Sequence, residues 1–396
     1  MVLLVALLLL AGCAGQHSAS TAPRVASVPA RCTESVADVS GRTLPQVDQR
    51  LDFDRGGWRL RGTLTLPARR SGEQVPGVVI VHGSGPLSRD GVMRGQLGLG
   101  FGFELSVYRR LAEALAEHGY AVYRYDKRTC GEFNHCATNR YPTVPYELLE
   151  VEFNTTEYLR DAEAAVDAMA AHPNVDGRRL FVVGHSQGGT LVPALLTSRR
   201  DLRAGVMLAP PFHPLSNLLA QQSERVAWAF AAIGQSDRAE QERALLVAAA
   251  RALGHVESGT HLGEPILGQP PGVWESWARM TRQAPALAAR LDRPLLVLGG
   301  SYDYNVSASE IEAWRALLRR STRVPHRVRV LPCVTHALNC ITQPDPMRIE
   351  PVHIGRDVAG KVVGEVVDFL DDVAGRGRSG TRATVTRRVA RKSHSG

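Results

Sequence analysis

Hydrophobic positions along this chain follow three rhythms, and each predicts a different kind of element. Leu60, Gly62, Leu64 and Leu66 alternate with Arg59, Arg61, Thr63 and Thr65. That period suits a half-buried antiparallel strand and, with Leu51 to Asp54 before the turn Arg55-Gly56-Gly57, predicts a hairpin. A second rhythm is the short apolar run. Val78-Val79-Ile80-Val81, Tyr120 to Tyr125, Leu180-Phe-Val-Val183, Ala204 to Leu208, Leu295 to Leu298 and Arg327 to Leu331 read as strands; the most apolar of them suit a parallel sheet covered on both faces. The third has the helical period. Val107, Leu111, Ala114 and Leu115 mark a helix over Glu104 to His118, and Leu159, Ala162, Val166 and Met169 mark one over Thr156 to Ala171. Gly119 stops the first and His172-Pro173 the second. Further helices are expected over Ala308 to Arg320 and from about Asp357 to Asp371.

Strand and helix alternate from residue 76 to 210, which argues an α/β fold with a doubly wound, mostly parallel sheet. The beat then breaks. Residues 211–290 hold helix-like stretches at Leu218 to Ile233, Arg238 to Leu253 and Trp274 to Arg290, with Trp228, Trp274 and Trp277 among them. This segment is expected to form an inserted helical cap over the strand ends, and 46–210 with 291–373 to form the core.

The ends of the chain follow neither pattern. Met1 to Leu10 is almost wholly apolar and runs into Leu10-Ala11-Gly12-Cys13. The run is too short to span a bilayer as a mature helix and suits a secretory signal. Its end resembles the lipobox of bacterial lipoproteins, which implies lipidation of Cys13, export and a cell-envelope location anchored to the membrane. No Lys or Arg precedes the apolar run, a departure from that pattern. Residues 14–45, rich in Ala, Ser, Thr, Pro and Val, read as a flexible tether. The net charge of +8 is explained by the other end. Arg376, Arg378, Arg382, Arg387, Arg388, Arg391 and Lys392 stand in 374–396 with no acid, leaving a nearly neutral body. A basic disordered tail is expected, and a nucleic-acid-binding domain is not.

Chemistry concentrates where strands end. After Leu180 to Val183 comes Gly184-His185-Ser186-Gln187-Gly188-Gly189, then a mostly apolar run of helix length. Strand, tight turn and helix are the context that a G-x-S-x-G nucleophile elbow needs, and the flanking glycines let a serine stand clear of strand and helix. A nucleophilic serine needs a base, and the base needs a carboxylate to hold its tautomer. In open α/β sheets the ligand crevice lies beyond the carboxyl ends of the strands. His336 and Asp303 lie there, in the chain order Ser186, Asp303, His336. His213, between prolines, is the second candidate base. His82 is expected to support a loop by hydrogen bonds, His185 to pack near the site, and Asp126 to pair with Lys127 or Arg128. Oxyanion donors are expected at the N–H of Gln187 and of Ser84, with Gly85 as the alternative to Ser84. No metal or cofactor is called for.

Cysteine spacing fits export. Cys130 and Cys136 are six apart, and Cys333 and Cys340 are seven apart around His336. Neither pair has the partner spacing of a zinc site, and two short disulfide loops fit better, although the cysteines by themselves allow other connectivities. Cys32 is left without a place.

Residues 76–373 resemble the α/β-hydrolase superfamily. His82-Gly-Ser-Gly-Pro86 with Arg89-Asp90, Tyr125-Asp-Lys-Arg128 and Gly184-His-Ser-Gln-Gly188 resemble its bacterial esterase and dipeptidyl-peptidase-related branch. The resemblance implies a serine hydrolase acting on carboxylic esters, thioesters or sometimes peptides. The chain departs from the branch after Arg128, at Thr129-Cys130, and in the cysteines around His336. An ester is the expected small-molecule substrate, because the cap brings tryptophans and aliphatics. A peptidase needs acids placed for a free amine, for which Glu224, Glu240 and Glu242 are the cap's candidates. A non-catalytic binding lipoprotein on the same scaffold is the reading of another class.

Overall fold

A computed structural model describes residues 43–94, 104–130, 144–232, 234–261, 263–321, 323–342 and 355–376. Cys13, Cys32, Cys136 and the basic tail from 377 onward lie outside the described residues. The main sheet comprises β1 (Val47–Arg50), β2 (Gly62–Leu66), β3 (Val75–Val81), β4 (Ala121–Tyr125), β5 (Val175–His185), β6 (Leu202–Leu208), β7 (Leu295–Gly300) and β8 (Arg327–Leu331). Their spatial order is β8-β7-β6-β5-β3-β4-β2-β1. Strands β3 to β8 are parallel to their neighbours among themselves, while β2 runs antiparallel to both β4 and β1. The order doubles back at β3 and β5, so both strands end at the crevice where the chain reverses its winding.

Helices α1 (Val107–Glu117), α2 (Thr155–Ala170), α3 (Gln187–Ser198), α7 (Ala308–Leu318) and α8 (Gly360–Ala374) cover the sheet. Alternation within the strands divides the core in two. Val78, Ile80, Val122, Phe181 and Val183 face α1 and α8. Val79, Val81, Tyr123, Leu180 and Val182 share a cluster with α2, α3 and α7. Burial of each such side chain contributes roughly 1.5–3 kcal/mol, so covering both faces is what stabilises the parallel strands.

Between β6 and β7 the chain forms α4 (Leu215–Ala232), α5 (Ser236–Ser258) and α6 (Pro271–Ala288). They build a third apolar cluster from Leu218, Leu219, Phe230, Leu246, Leu253 and Trp274, joined by Val306 from the loop after β7. Helix α6 packs against α3 as well as α5. Helix α5 continues past Leu253 and ends where Gly259 turns left-handed at φ 72°.

Two local expectations need correction. The predicted hairpin over 51–66 is divided between two sheets. Phe53–Arg55 pairs with Trp58–Leu60 in a ribbon of its own, and only Gly62–Leu66 joins the main sheet. The break falls at Gly62, where a side chain would collide with Tyr123 and the Leu51 carbonyl. Likewise Glu104–Ser106 pairs with Val92–Arg94 as a strand, and the helix starts only at Val107.

Candidate active site

Strand β5 delivers Ser186 at the head of α3. The serine adopts φ 54° and ψ −120°, a conformation that L-residues rarely hold and that functional sites retain when their surroundings enforce it. Here the enforcement is visible. Ser186 N donates to Leu208 O at 2.8 Å, and Gly189 N donates back to Ser186 O at 2.9 Å. A side chain at Gly184 would meet the Gly188 backbone and Val192, and one at Gly188 would meet the carbonyls of Val81 and His82. Close approach of backbones, rather than backbone freedom, is therefore what requires both glycines.

His336 and Asp303 meet as the chain order anticipates. His336 Nδ1 lies 2.9 Å from Asp303 Oδ2, with side-chain exposures of 14% and 0%. The second oxygen, Asp303 Oδ1, accepts the N–H groups of Asn305 and Val306 at 2.8 Å each. A buried carboxylate with that many donors can serve only as an acceptor for an Nδ1–H, which leaves Nε2 as the basic nitrogen. Among the described residues Nε2 has no hydrogen-bond partner, and Ser186 Oγ makes none either. Both residues line one cavity of about 510 Å³ in empty volume, together with Ser84, Leu218, Leu219 and Trp277.

The His336 loop is held on several sides. Tyr302 N donates to Val334 O at 2.9 Å, tying the loop after β7 to the loop after β8. Thr335 N donates to Asn339 O at 2.9 Å, and Asn339 Nδ2 donates to Gly355 O at 2.7 Å. Cys333 and Leu338 both take positive φ, 64° and 63°. A disulfide joins Cys333 to Cys340 across Cα atoms 4.9 Å apart, as the spacing suggested. Cys130 is buried, while its suggested partner Cys136 lies outside the described residues.

A buried polar chain links this loop to the one after β3. Gly83 N donates to Tyr108 Oη at 2.8 Å, and Tyr108 Oη lies 3.1 Å from His185 Nδ1. His185 Nε2 lies 2.9 Å from the His336 carbonyl. Since a carbonyl only accepts, His185 carries its proton on Nε2 and receives the tyrosine hydroxyl at Nδ1. Burial, with His336 beside it, lowers the His185 pKa to about 3, so the ring stays neutral. His82 is likewise held to about 3 by burial, with Lys127 adding to the effect, and its Nε2 hydrogen-bonds the Tyr125 carbonyl.

Ser84 lines the Ser186 cavity, and a Cβ on Gly83 would stand 3.3 Å from Ser186 Cβ. Among the described residues the N–H groups of Ser84 and Gln187 have no protein acceptor, as does that of Gly85. A second cavity, about 730 Å³ in empty volume, lies beyond the same loop, with Gly85, Lys127, Phe153 and Tyr158 in its wall. Ser84, Trp274 and Trp277 border both spaces.

Other expectations resolve differently. His213 is fixed by Glu310, 2.9 Å from Nδ1, and lines neither cavity. Asp126 accepts Arg89 N at 2.8 Å and Arg89 Nη1 at 2.9 Å. Lys127 instead reaches Gly83 and Gln187, and Arg128 reaches Asp161. Arg89, from the loop after β3, occupies Asp126, and both oxygens of Asp161 on α2 occupy Arg128. Glu224 and Glu240 sit exposed near Arg243, and Glu242 faces Arg238. None of the three lines either cavity. Sequence reasoning missed Tyr108, which occupies an apolar-face position of α1 and reads as core. It also missed Lys127 as part of the site, although its place just past β4 was a signal.

Sheet order, strained serine and strand-end residues together have the arrangement of an α/β hydrolase. Residues 78–348 match the model of the alpha/beta hydrolase family, and the chain belongs to that family. It is 28% identical over 255 residues to esterase EstD of Thermotoga maritima, a match covering 64% of this chain and 52% of that protein. The chain thus matches about half the length of that curated relative. Among solved structures, Est1E from Butyrivibrio proteoclasticus aligns with a TM-score of 0.44 and 16% identity over 82% of this chain and 99% of that one. An acylaminoacyl peptidase from Pyrococcus horikoshii aligns at 0.48 and 15%, over 83% of this chain and 42% of that one.

Proposed function

We propose that this protein is a serine hydrolase that cleaves carboxylic esters through an acyl-enzyme, with Ser186 as nucleophile, His336 as base and Asp303 as the group that orients it. The observation that carries the reading is the His336–Asp303 pair, set at 2.9 Å with Nε2 left free, beside a serine held at positive φ in the same cavity. Ser186 Oγ attacks the ester carbonyl while His336 Nε2 takes its proton. The carbonyl π electrons move onto oxygen, where the N–H groups of Gln187 and Ser84 receive the charge. Collapse expels the alcohol, which leaves with the proton from Nε2, and water then repeats the sequence to release the acid.

Esters are favoured over peptides because leucines and tryptophans line the Ser186 cavity and no acidic side chain among its lining residues awaits a free amine. The Leu10-Ala-Gly-Cys13 stretch supports an exported protein anchored through Cys13. The test is a fluorophosphonate probe on active protein, beside turnover of p-nitrophenyl esters and aminoacyl anilides. The probe is expected to modify Ser186, Ser186→Ala to lose both labelling and turnover, and esters to outrun anilides. Active protein with an unlabelled Ser186 refutes the mechanism, and faster anilide cleavage transfers the protein to the peptidases.

A further inference from the structure

We propose that Lys127 is a positioning residue that clamps both oxyanion donors at once, fixing the Ser84 and Gln187 N–H groups and polarising the first of them. This rests on the ester-hydrolase reading above. Lys127 is 5% exposed. Its Nζ donates to Gly83 O at 2.9 Å and to Gln187 Oε1 at 2.8 Å, and it stands 4.2 Å from the centre of the Tyr158 ring. Two acceptors and a cation–π contact occupy the ammonium. Although Lys127 borders the second cavity, its contacts are therefore to the frame of the site and not to a bound anion.

Gly83 C=O and Ser84 N–H are the two ends of one trans peptide, and in such a unit they point opposite ways. No cis bond occurs among the described residues. Pinning the carbonyl oxygen on one side thus aims the Ser84 N–H to the other. Gly83 is also held at its own N–H by Tyr108 Oη, 2.8 Å away. A cation on a carbonyl oxygen draws density through the conjugated amide and makes its N–H a stronger donor. The other contact acts on the residue after Ser186. Anchoring the Gln187 side chain fixes the first turn of α3, where the second donor sits.

The ionic surroundings are defined. From β3 comes His82, kept neutral by burial. From β4 come Tyr125, raised well above its ordinary value, Asp126 paired with Arg89, and Arg128 paired with Asp161. From α2 come Tyr158, also raised by burial, and Asp161, and from α3 the uncharged Gln187. Burial lowers Lys127 to about 7, against the favourable field of Asp161. A neutral amine keeps two N–H donors for the two acceptors. Loss of the proton therefore weakens the polarisation without opening the clamp.

The experiment compares full-length wild type, Lys127→Met, Gln187→Leu and the double variant on p-nitrophenyl butyrate, with Ser186→Ala as reference. Lys127→Met is expected to lower kcat by about ten- to a hundredfold, somewhat less than outright removal of a donor. KM should hold within about threefold, since the loss falls on the transition state. Affinity for an alkyl boronic acid, which forms a tetrahedral anion on the serine, should drop with kcat. Wild-type kcat/KM should step down to a lower plateau above pH 7, and that step should vanish in Lys127→Met. The double variant should lose no more than Lys127→Met, because Gln187 acts through the lysine. Should Lys127→Met fail to fold, Gln187→Leu carries the test by a smaller kcat loss and a displaced alkaline step. An intact step, or additive single effects, overturns the clamp. Turnover surviving in Ser186→Ala overturns the parent reading, whereas a dead Ser186→Ala beside a full-rate Lys127→Met sinks the clamp alone.

Discussion

The two walls of the Ser186 cavity are built on different terms. On the sheet side, polar groups are fixed by named partners: Asp303 by two backbone N–H groups and His336, His185 by Tyr108 and the His336 carbonyl. On the helical side the lining is Leu215, Leu218, Leu219, Leu253, Trp274 and Trp277. There the buried Gln222 Oε1, Trp277 Nε1 and Thr281 Oγ1 have no hydrogen-bond partner among the described residues. The difference teaches that directional bonds specify one geometry, which proton transfer needs, whereas apolar contacts set size and shape and tolerate change. Chemistry should therefore be brittle on the first wall, and preference adjustable on the second.

The hardest blow to that contrast is Asp303→Asn. It keeps the shape but removes the carboxylate that holds the imidazole tautomer, and kcat should fall on the order of 10³–10⁴-fold. Steady-state kinetics with esters check this, and a loss below tenfold breaks the claim that the sheet wall is brittle. Acid stability comes next. His82 and His185, ordinarily near 6.5, are both lowered to about 3 by burial. The unfolded chain takes up their protons below about 6.5, while the folded protein refuses them until near 3. The stability they confer is thus complete above 6.5 and declines as pH falls toward 3. Urea midpoints should drop between pH 7.5 and 4.5, and a flat profile there contradicts the neutral-histidine network.

Reduction tests the brace around His336. Opening Cys333–Cys340 releases a short loop and should cost about 2 kcal/mol of stability. Activity should fall with it, because His336 lies within that loop. An unchanged rate in dithiothreitol, with reduction verified by mass spectrometry, shows that Asp303 and His185 hold His336 unaided. The mildest change belongs to the helical wall. Trp277→Ala should leave turnover of short esters within a few fold and raise relative kcat/KM for bulkier ones, by about tenfold at most. A uniform loss over an acyl-length series places Trp277 in support of the chemistry instead.

Legibility differed between the parts for physical reasons. The strands around the site were readable because β3 and the end of β5 are covered on both faces and so must be apolar throughout. Ser186 was readable because a serine at positive φ between crossing backbones forces glycine at 184 and 188. The hairpin over 51–66 misled because alternation reports which face is buried and not which strand lies alongside. Asp126 misleads because neighbours in sequence need not face each other in space, and Arg89 reaches it from another loop.

By itself the sequence determined most of the elements, the doubly wound character of the sheet and which residues stand at strand ends, since periodicity and steric demand are local properties. Only tertiary structure decided who faces whom. The joining of Gly83, Tyr108, His185 and His336 into one chain, and the place of Lys127 between Gly83 and Gln187, depend on α1, β3, β4 and β5 converging. A buried hydrogen bond between residues far apart in the chain leaves no period behind it. It exists only when packing has excluded water and left each donor a single acceptor.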